Sequence, residues 1–216
     1  MDLLTPKNTV SARRTWALGG LLVASVAVAA FVHASVRELE QAKAGEPAPA
    51  SVARFRLEQR LGRFYRPKET TPFTGWVTDH FKTGAVSLRS AVVYGQLHGL
   101  SEGRFTNGVV ELSEYFRHGR PDGTRTTWHP NGKKRSEGRL VAGKQEGTYR
   151  QWTEQGGLVA EAEFKDGKPH GISRAWHPSG WLKAEALMKH GEVVTRHFYP
   201  DGERREPTLL AATPAP

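Results

Sequence analysis

Apolar and polar residues alternate in short segments that recur from about residue 75 to residue 202. In one of them Leu158, Ala160, Ala162 and Phe164 lie on one side of the alternation and the charged residues 161, 163 and 165 on the other. A period of two over about eight residues predicts a β-strand with one apolar and one polar face. The chain is therefore expected to be all-β over this region.

Glycines divide these segments into repeats. They form three series, and every step within a series is 24 residues, as in 99 − 75 = 24. A constant step indicates repeated units, here beginning near residues 75, 99, 123, 147 and 171, with a partial unit at 195–202 that ends the array. The glycines are predicted to be structural turn residues: Gly75, Gly99, Gly123, Gly147, Gly171; Gly84, Gly108, Gly132, Gly156, Gly180; Gly95, Gly119, Gly143, Gly167, Gly191.

Turn chemistry predicts how each unit folds. Asn107-Gly108 and Asn131-Gly132 lie between alternating runs, and such steps favour tight hairpins because glycine accepts positive φ. Gly-x-x-x-Gly segments such as 167–171 then join one hairpin to the next. An isolated hairpin is marginal in water, so the units are expected to stack into an elongated, twisted antiparallel sheet. Gly143 is one of the positions where we expect positive φ, and Arg139 is placed on the polar face.

The repeat consensus resembles a known family. The sequence Phe-Lys-Asp-Gly-Lys-Pro-His-Gly at 164–171 and the lead-in Thr-Pro-Phe-Thr-Gly at 71–75 are similar to the bacterial MORN-repeat variant found in YwqK-type antitoxin proteins. The resemblance covers residues 55–202 and implies a MORN-like array of β-hairpins. It also implies a toxin or effector domain as one candidate partner.

The N-terminal region predicts a membrane segment. Residues 15–34 contain no Lys, Arg, Asp or Glu, and a helix of this length crosses the ~30 Å hydrocarbon core. It is either a single-pass anchor or a signal peptide cleaved near Ala34. In both cases the positive-inside rule leaves residues 1–14 in the cytoplasm and places the repeats outside it, in the periplasm or cell envelope.

Two further segments flank the array. Residues 35–54 are expected to be a linker, and the proline-containing residues 203–216 a disordered tail. Residues 54–65 could form a helix, but the resemblance favours a hairpin around Leu61-Gly62 that caps the first edge of the sheet.

Aromatic residues supply the candidate binding surface. Trp128, Trp152 and Trp176 share one position of the repeat, and with Phe116 and Phe164 they form either a partner-binding or a core aromatic face. The sequence leaves open which face of the sheet the tryptophans take. No segment outside the repeats is large enough to cover an apolar sheet face completely, so part of that face is expected to stay open.

The sequence offers no catalytic, cofactor or metal constellation. There is no cysteine, and equivalent histidines of adjacent repeats would lie about 10 Å apart, too far to share a zinc ion. The same spacing separates Glu137, Glu161 and Glu185, which we interpret as a solvated polar face and not as paired catalytic carboxylates. An enzyme is not expected.

The net charge of the chain indicates which classes of partner it favours. The net charge of +9 favours anionic partners, but 133–135 is the only run of three cationic residues, too short to predict nucleic-acid binding. We expect a binding scaffold that contacts a protein through its aromatic face or an exposed edge strand, as an antitoxin or immunity protein would. Binding of anionic phospholipid by the basic surface, or a structural envelope role through edge-to-edge self-association, is the alternative.

Overall fold

The computed structural model describes residues 50–203, which form one long β-sheet and a small hairpin. The predicted helix at 15–34, the cytoplasmic residues 1–14 and the tail after residue 203 lie outside the described residues. The strands are β1 Ser51–Ala53, β2 Glu58–Arg60, β3 Arg63–Tyr65, β4 Gly75–His80, β5 Val86–Val93, β6 Gln96–Arg104, β7 Val110–Arg117, β8 Arg120–Trp128, β9 Lys134–Val141, β10 Lys144–Trp152, β11 Leu158–Lys165, β12 Lys168–Trp176, β13 Leu182–Lys189 and β14 Glu192–Phe198.

The main sheet has twelve strands in the order β1-β4-β5 and then consecutively to β14. Every neighbouring pair from β4 to β14 is antiparallel, and only β1 pairs in parallel, with β4. This up-and-down order confirms the predicted array of stacked hairpins. Among residues 50–203 no helix has the length and apolar character that would let it span a membrane.

The tight turns are at a different glycine series from the one predicted. Two-residue turns such as His118-Gly119 connect β7 to β8, with φ of 50° and 78°. Positive φ at both central residues is what a type I′ hairpin requires, and it matches the twist of the flanking strands. The same arrangement recurs at 94–95, 142–143, 166–167 and 190–191.

The Asn-Gly steps occupy longer loops, so the prediction that they close the tight hairpins is wrong. In the 129–133 loop the Gly132 amide donates to the carbonyl of His129 at 2.9 Å, and His129 N–H donates to Lys133 O at 2.8 Å. Gly132 has positive φ but Asn131 does not, so a type I′ turn cannot form there. The predicted Gly-x-x-x-Gly joint at 167–171 is also wrong, because β12 begins immediately after Gly167.

The lead-in segment folds as the predicted hairpin but lies in a different place. Leu61 and Gly62 form the turn between β2 and β3, with φ of 49° and 73°. Phe64 from β3 packs in a buried cluster with Val77 and Val92 of the main sheet, so the hairpin covers a face and does not cap the edge. The edge is paired instead by β1, which lies within the segment expected to be a linker.

The sheet has two faces that differ in what covers them. The front face carries the cross-strand row Ser90, Ser101, Glu114, Arg125 and Gly138, and the back face carries the row Glu137, Arg150, Glu161, Arg174 and Glu185. Both clusters of buried apolar residues involve residues between 52 and 97. Every described strand from Gly75 onward belongs to the sheet itself, so the described chain supplies no second layer over its later strands.

Candidate binding surfaces

The five predicted aromatic residues do not form one patch. Trp128 and Trp152 lie at the ends of their strands beside the longer loops, where they pair with Lys134 and Leu158. Phe116 pairs with Pro121 next to a tight turn. Pro121 and Trp128 are seven residues apart on β8, or about 23 Å at ~3.3 Å per residue. The tryptophans and phenylalanines therefore lie along opposite margins of the sheet.

A groove runs along β9 on the front face. Its floor is formed by the small residues Ser136 and Gly138, while β8 and β10 on either side carry larger side chains. A Cβ placed on Gly138 would lie 2.8 Å from the Tyr149 ring, so glycine makes room for this tyrosine. Two adjoining cavities of about 410 and 360 Å³ fill the groove, and Tyr149, Ser136 and Arg135 line both.

Arg135 reaches this groove because of a β-bulge. Strict alternation would place Arg135 on the back face with Glu137 and Arg139. The pairing runs from Thr127 opposite Ser136 to Trp128 opposite Lys134, which leaves Arg135 as an extra residue on β9. A bulge redirects side chains locally, and here it turns Arg135 towards the front face. Period-two reasoning missed this residue for that reason.

Glu114 is a buried carboxylate beside the groove. It lies opposite Arg125 on the front face, is only 7% exposed, and its Oε1 is 3.8 Å from Arg125 Nη1. That oxygen has no hydrogen-bond partner within residues 50–203. Burial raises the pKa of the carboxyl, and the positive charge of Arg125 offsets part of the rise.

Glu114→Gln is expected to change how stability depends on pH. A carboxyl whose folded pKa is raised stabilises the fold fully below the unfolded pKa, ordinarily 4.5, and loses this contribution as the pH rises through the folded pKa. The wild-type free energy of unfolding should therefore fall relative to that of the variant from about pH 4.5 towards neutral pH. Urea denaturation of both proteins at several pH values checks this, and parallel profiles would contradict it.

The back face carries a row of ion pairs, which corrects the interpretation of its glutamates as solvated. Arg150 Nε lies 2.6 Å from Glu161 Oε2, and Arg174 lies between Glu161 and Glu185 at 4.0 and 3.7 Å. Glutamates of one repeat position are indeed two strands apart. The intervening strand, however, places an arginine between them, so each carboxylate has a cationic neighbour.

Glu185 is the most enclosed member of this row. Its side chain is fully buried, and the Tyr199 hydroxyl donates a hydrogen bond to Glu185 Oε1 at 2.8 Å. Tyr199 belongs to the partial last unit, so this bond ties the end of the array to β13. A buried carboxylate with two polar partners is structural and shows no substrate access.

The histidines line turns, and two pairs of them are in contact. The members of each pair occupy different positions of the repeat, so a comparison of equivalent positions does not predict these contacts. His98 contacts His118 edge-to-face at 4.9 Å between ring centroids, and His170 contacts His190 at 5.0 Å. His170 Nδ1 accepts the amide of His190 at 3.5 Å, and Glu146 accepts the amide of Asp166 at 2.9 Å in the same place one unit earlier. Within the described part of the chain, no three His, Asp or Glu side chains converge as a metal site would need.

The two ends of the sheet differ. β1 pairs with the first hairpin and the lead-in packs beside it, whereas all seven residues of β14 are exposed. Val193, Val194 and Phe198 on this strand are 52, 57 and 70% exposed. Within residues 50–203 no strand pairs with the outer edge of β14, and an unpaired edge with apolar side chains is a site where another strand can pair. β14 is therefore a second candidate binding surface.

Comparison with known proteins agrees with this architecture. The family model described as MORN repeat variant matches residues 121–140 and 169–190, each of which covers most of two neighbouring strands and the longer loop between them. Two segments of the chain are thus similar to the MORN repeat variant. No curated protein matches it significantly.

Solved structures give only a distant likeness. A mutant of S. aureus TarM in complex with fondaparinux, α-GlcNAc-glycerol and UDP is 11% identical, with a TM-score of 0.29 over 44% of this chain and 19% of TarM. A second TarM structure is 12% identical with the same TM-score and coverage. The chain spans about a fifth of TarM, and a likeness at this level carries no functional argument.

Proposed function

We propose that the protein is a non-enzymatic scaffold that binds another protein through the front face of its repeat sheet. The observation that supports this is the groove along β9, which lies on a part of the sheet that no described element covers. An uncovered, shaped surface on a soluble repeat array is typical of a partner-binding site. The expected membrane segment at 15–34 would display this surface outside the cytoplasm.

The resemblance to YwqK-type antitoxins gives the partner its class. We infer that a toxin or effector domain binds the front face and is neutralised by occlusion, as in an immunity protein. Occlusion requires only shape and charge complementarity, which a rigid sheet with a lined groove can provide. It requires no cofactor and no catalytic residue on this chain.

Affinity capture of the full chain from its native envelope tests the proposal, with variants that fill one face or the other. Ser136→Trp places a bulky ring in the groove, and Thr148→Trp places the same ring on the back face, where Thr148 pairs with Glu163. We expect Ser136→Trp to abolish capture of a protein partner and Thr148→Trp to retain it. Equal capture by both variants would contradict binding in the groove.

Anionic lipid is the alternative that the same experiment addresses. The exposed run 133–135 favours it, but Lys133 Nζ donates to Gln155 O at 2.9 Å and Lys134 Nζ is 2.6 Å from Glu137. Two of the three cations therefore already have partners. A contact made by lysine and arginine alone weakens steeply with salt, since the Debye length falls to ~3 Å at 1 M. Recovery of lipid without protein, lost at high salt, would replace the scaffold proposal.

A further inference from the structure

We propose that the groove along β9 takes an extended acidic segment of the partner, with a carboxylate seated between Arg125 and Arg135. The inference rests on the proposed function and specifies its ligand. The side chains that line the two cavities include these two arginines and no aspartate or glutamate. The groove is thus cationic, and its charge complements an anionic ligand.

Both guanidinium groups have capacity for a ligand. Arg135 is exposed and makes no ion pair within residues 50–203. Arg125 is 52% exposed, and its distance of 3.8 Å to Glu114 is too long for a hydrogen bond. Each guanidinium has five N–H donors in a planar fork that matches a carboxylate. A carboxylate bound here would accept hydrogen bonds that no described residue now accepts from Arg135.

The shape of the groove favours an extended peptide. Its floor follows β9 through Ser136, Gly138 and Leu140, a span of about 13 Å at ~3.3 Å per residue, or four residues of extended chain. The backbone of β9 is paired with β8 on one side and β10 on the other, so it cannot hydrogen-bond to an added strand. Recognition must therefore come from side chains.

The cavity at the Ser136 end of the groove supplies a place for an aromatic side chain. Trp152 and Tyr149 line it together with Gln151, whose amide donates to the Tyr149 hydroxyl at 2.8 Å. This hydrogen bond holds the Tyr149 ring in place. Ring faces beside amide and hydroxyl groups suit a tyrosine or phenylalanine next to the acidic residue.

Fluorescence anisotropy with a labelled peptide tests the assignment on the purified full chain. The probe is a hexapeptide, Gly-Tyr-Glu-Tyr-Glu-Gly, compared with the same peptide carrying glutamine for glutamate. We expect the glutamine peptide to bind at least about tenfold more weakly, since a good charge-assisted pair contributes that much or more. Arg135→Ala should weaken the glutamate peptide similarly, Arg135→Lys less so, and Arg139→Ala on the back face not at all.

Several results would overturn the proposal. These are equal binding of the two peptides, no binding of either, or an unchanged affinity of the glutamate peptide for Arg135→Ala. A sugar can also supply a carboxylate, so tighter binding of a glucuronate-containing disaccharide than of the peptide would also overturn it. The two proposals can be told apart: if Ser136→Trp abolishes capture of the native partner but Arg135→Ala does not, the scaffold proposal holds and the carboxylate proposal is wrong. If neither variant affects capture, both proposals are wrong.

Discussion

Glu185→Ala is expected to lower the free energy of unfolding by about 3 kcal/mol, because it breaks a buried ion pair and removes the nearer of the two carboxylates beside Arg174. Glu185 is fully buried, and it holds both Arg174, at 3.7 Å, and the Tyr199 hydroxyl, at 2.8 Å. The Arg174 side chain is only 20% exposed, so water cannot fully replace the lost carboxylate. Arg174 keeps Glu161 at 4.0 Å, which limits the loss to the lower end of the range for buried pairs.

Glu137→Ala is the matched control. Glu137 occupies the same repeat position, but its side chain is 35% exposed and its partner Lys134 is 49% exposed. An exposed pair contributes at most about 1 kcal/mol. Urea denaturation followed by circular dichroism compares the two variants with the wild type. Equal losses would mean that burial does not determine how much these two glutamates contribute to stability, and would contradict the prediction.

The strands and their order follow directly from sequence. Alternation over eight residues, as in 158–165, identifies a strand, and a step of 24 residues fixes how many hairpins there are. Consecutive hairpins with short connections have one simple way to pair, which is with their neighbours in the chain. The same reasoning could not place β1, because three residues, Ser51–Ala53, carry too short a pattern to distinguish a strand from a linker.

The turns show where local sequence is ambiguous. Asn131-Gly132 and His118-Gly119 both place glycine after a residue that tolerates positive φ, but only the second forms the two-residue turn. What distinguishes them is the number of residues between the paired strands, which is two at 118–119 and five at 129–133. The Gly119 amide donates to the carbonyl of Leu97 at 2.8 Å, a bond between neighbouring hairpins that no pattern within one unit predicts.

Register also determines the functional surfaces. Glu137 and Arg150 are 13 residues apart and Arg150 and Glu161 are 11 apart, so neither pair shares a repeat position, yet they face each other across strands. Arg135 changes face because β9 has one more residue than β8 at their bulge. Both the ion-pair row and the cationic groove therefore depend on pairing between strands, which residue type and period alone do not specify.

Gly143→Val is expected to lower the free energy of unfolding by about 2 to 3 kcal/mol, because it places a β-branched residue at positive φ. Gly143 has φ of 85° and follows Ala142 at 50° in a tight turn. A Cβ there would approach only Pro121 Cδ, at 3.9 Å, so the cost comes from the backbone conformation and not from crowding. The Gly143 amide also donates to Pro121 O at 2.7 Å, so a distorted turn loosens the contact with the preceding hairpin.

Two variants separate backbone strain from other effects of substitution at this site. Gly143→Asn should lose clearly less stability than Gly143→Val, since asparagine visits the left-handed region more readily than valine does. Arg139→Ala, on the same hairpin but exposed on the back face, should change stability by less than about 0.5 kcal/mol. Urea denaturation measures the loss of stability in each of the three variants. If Gly143→Val and Gly143→Asn lost equal stability, the positive φ of this turn would not be the reason that glycine is needed there.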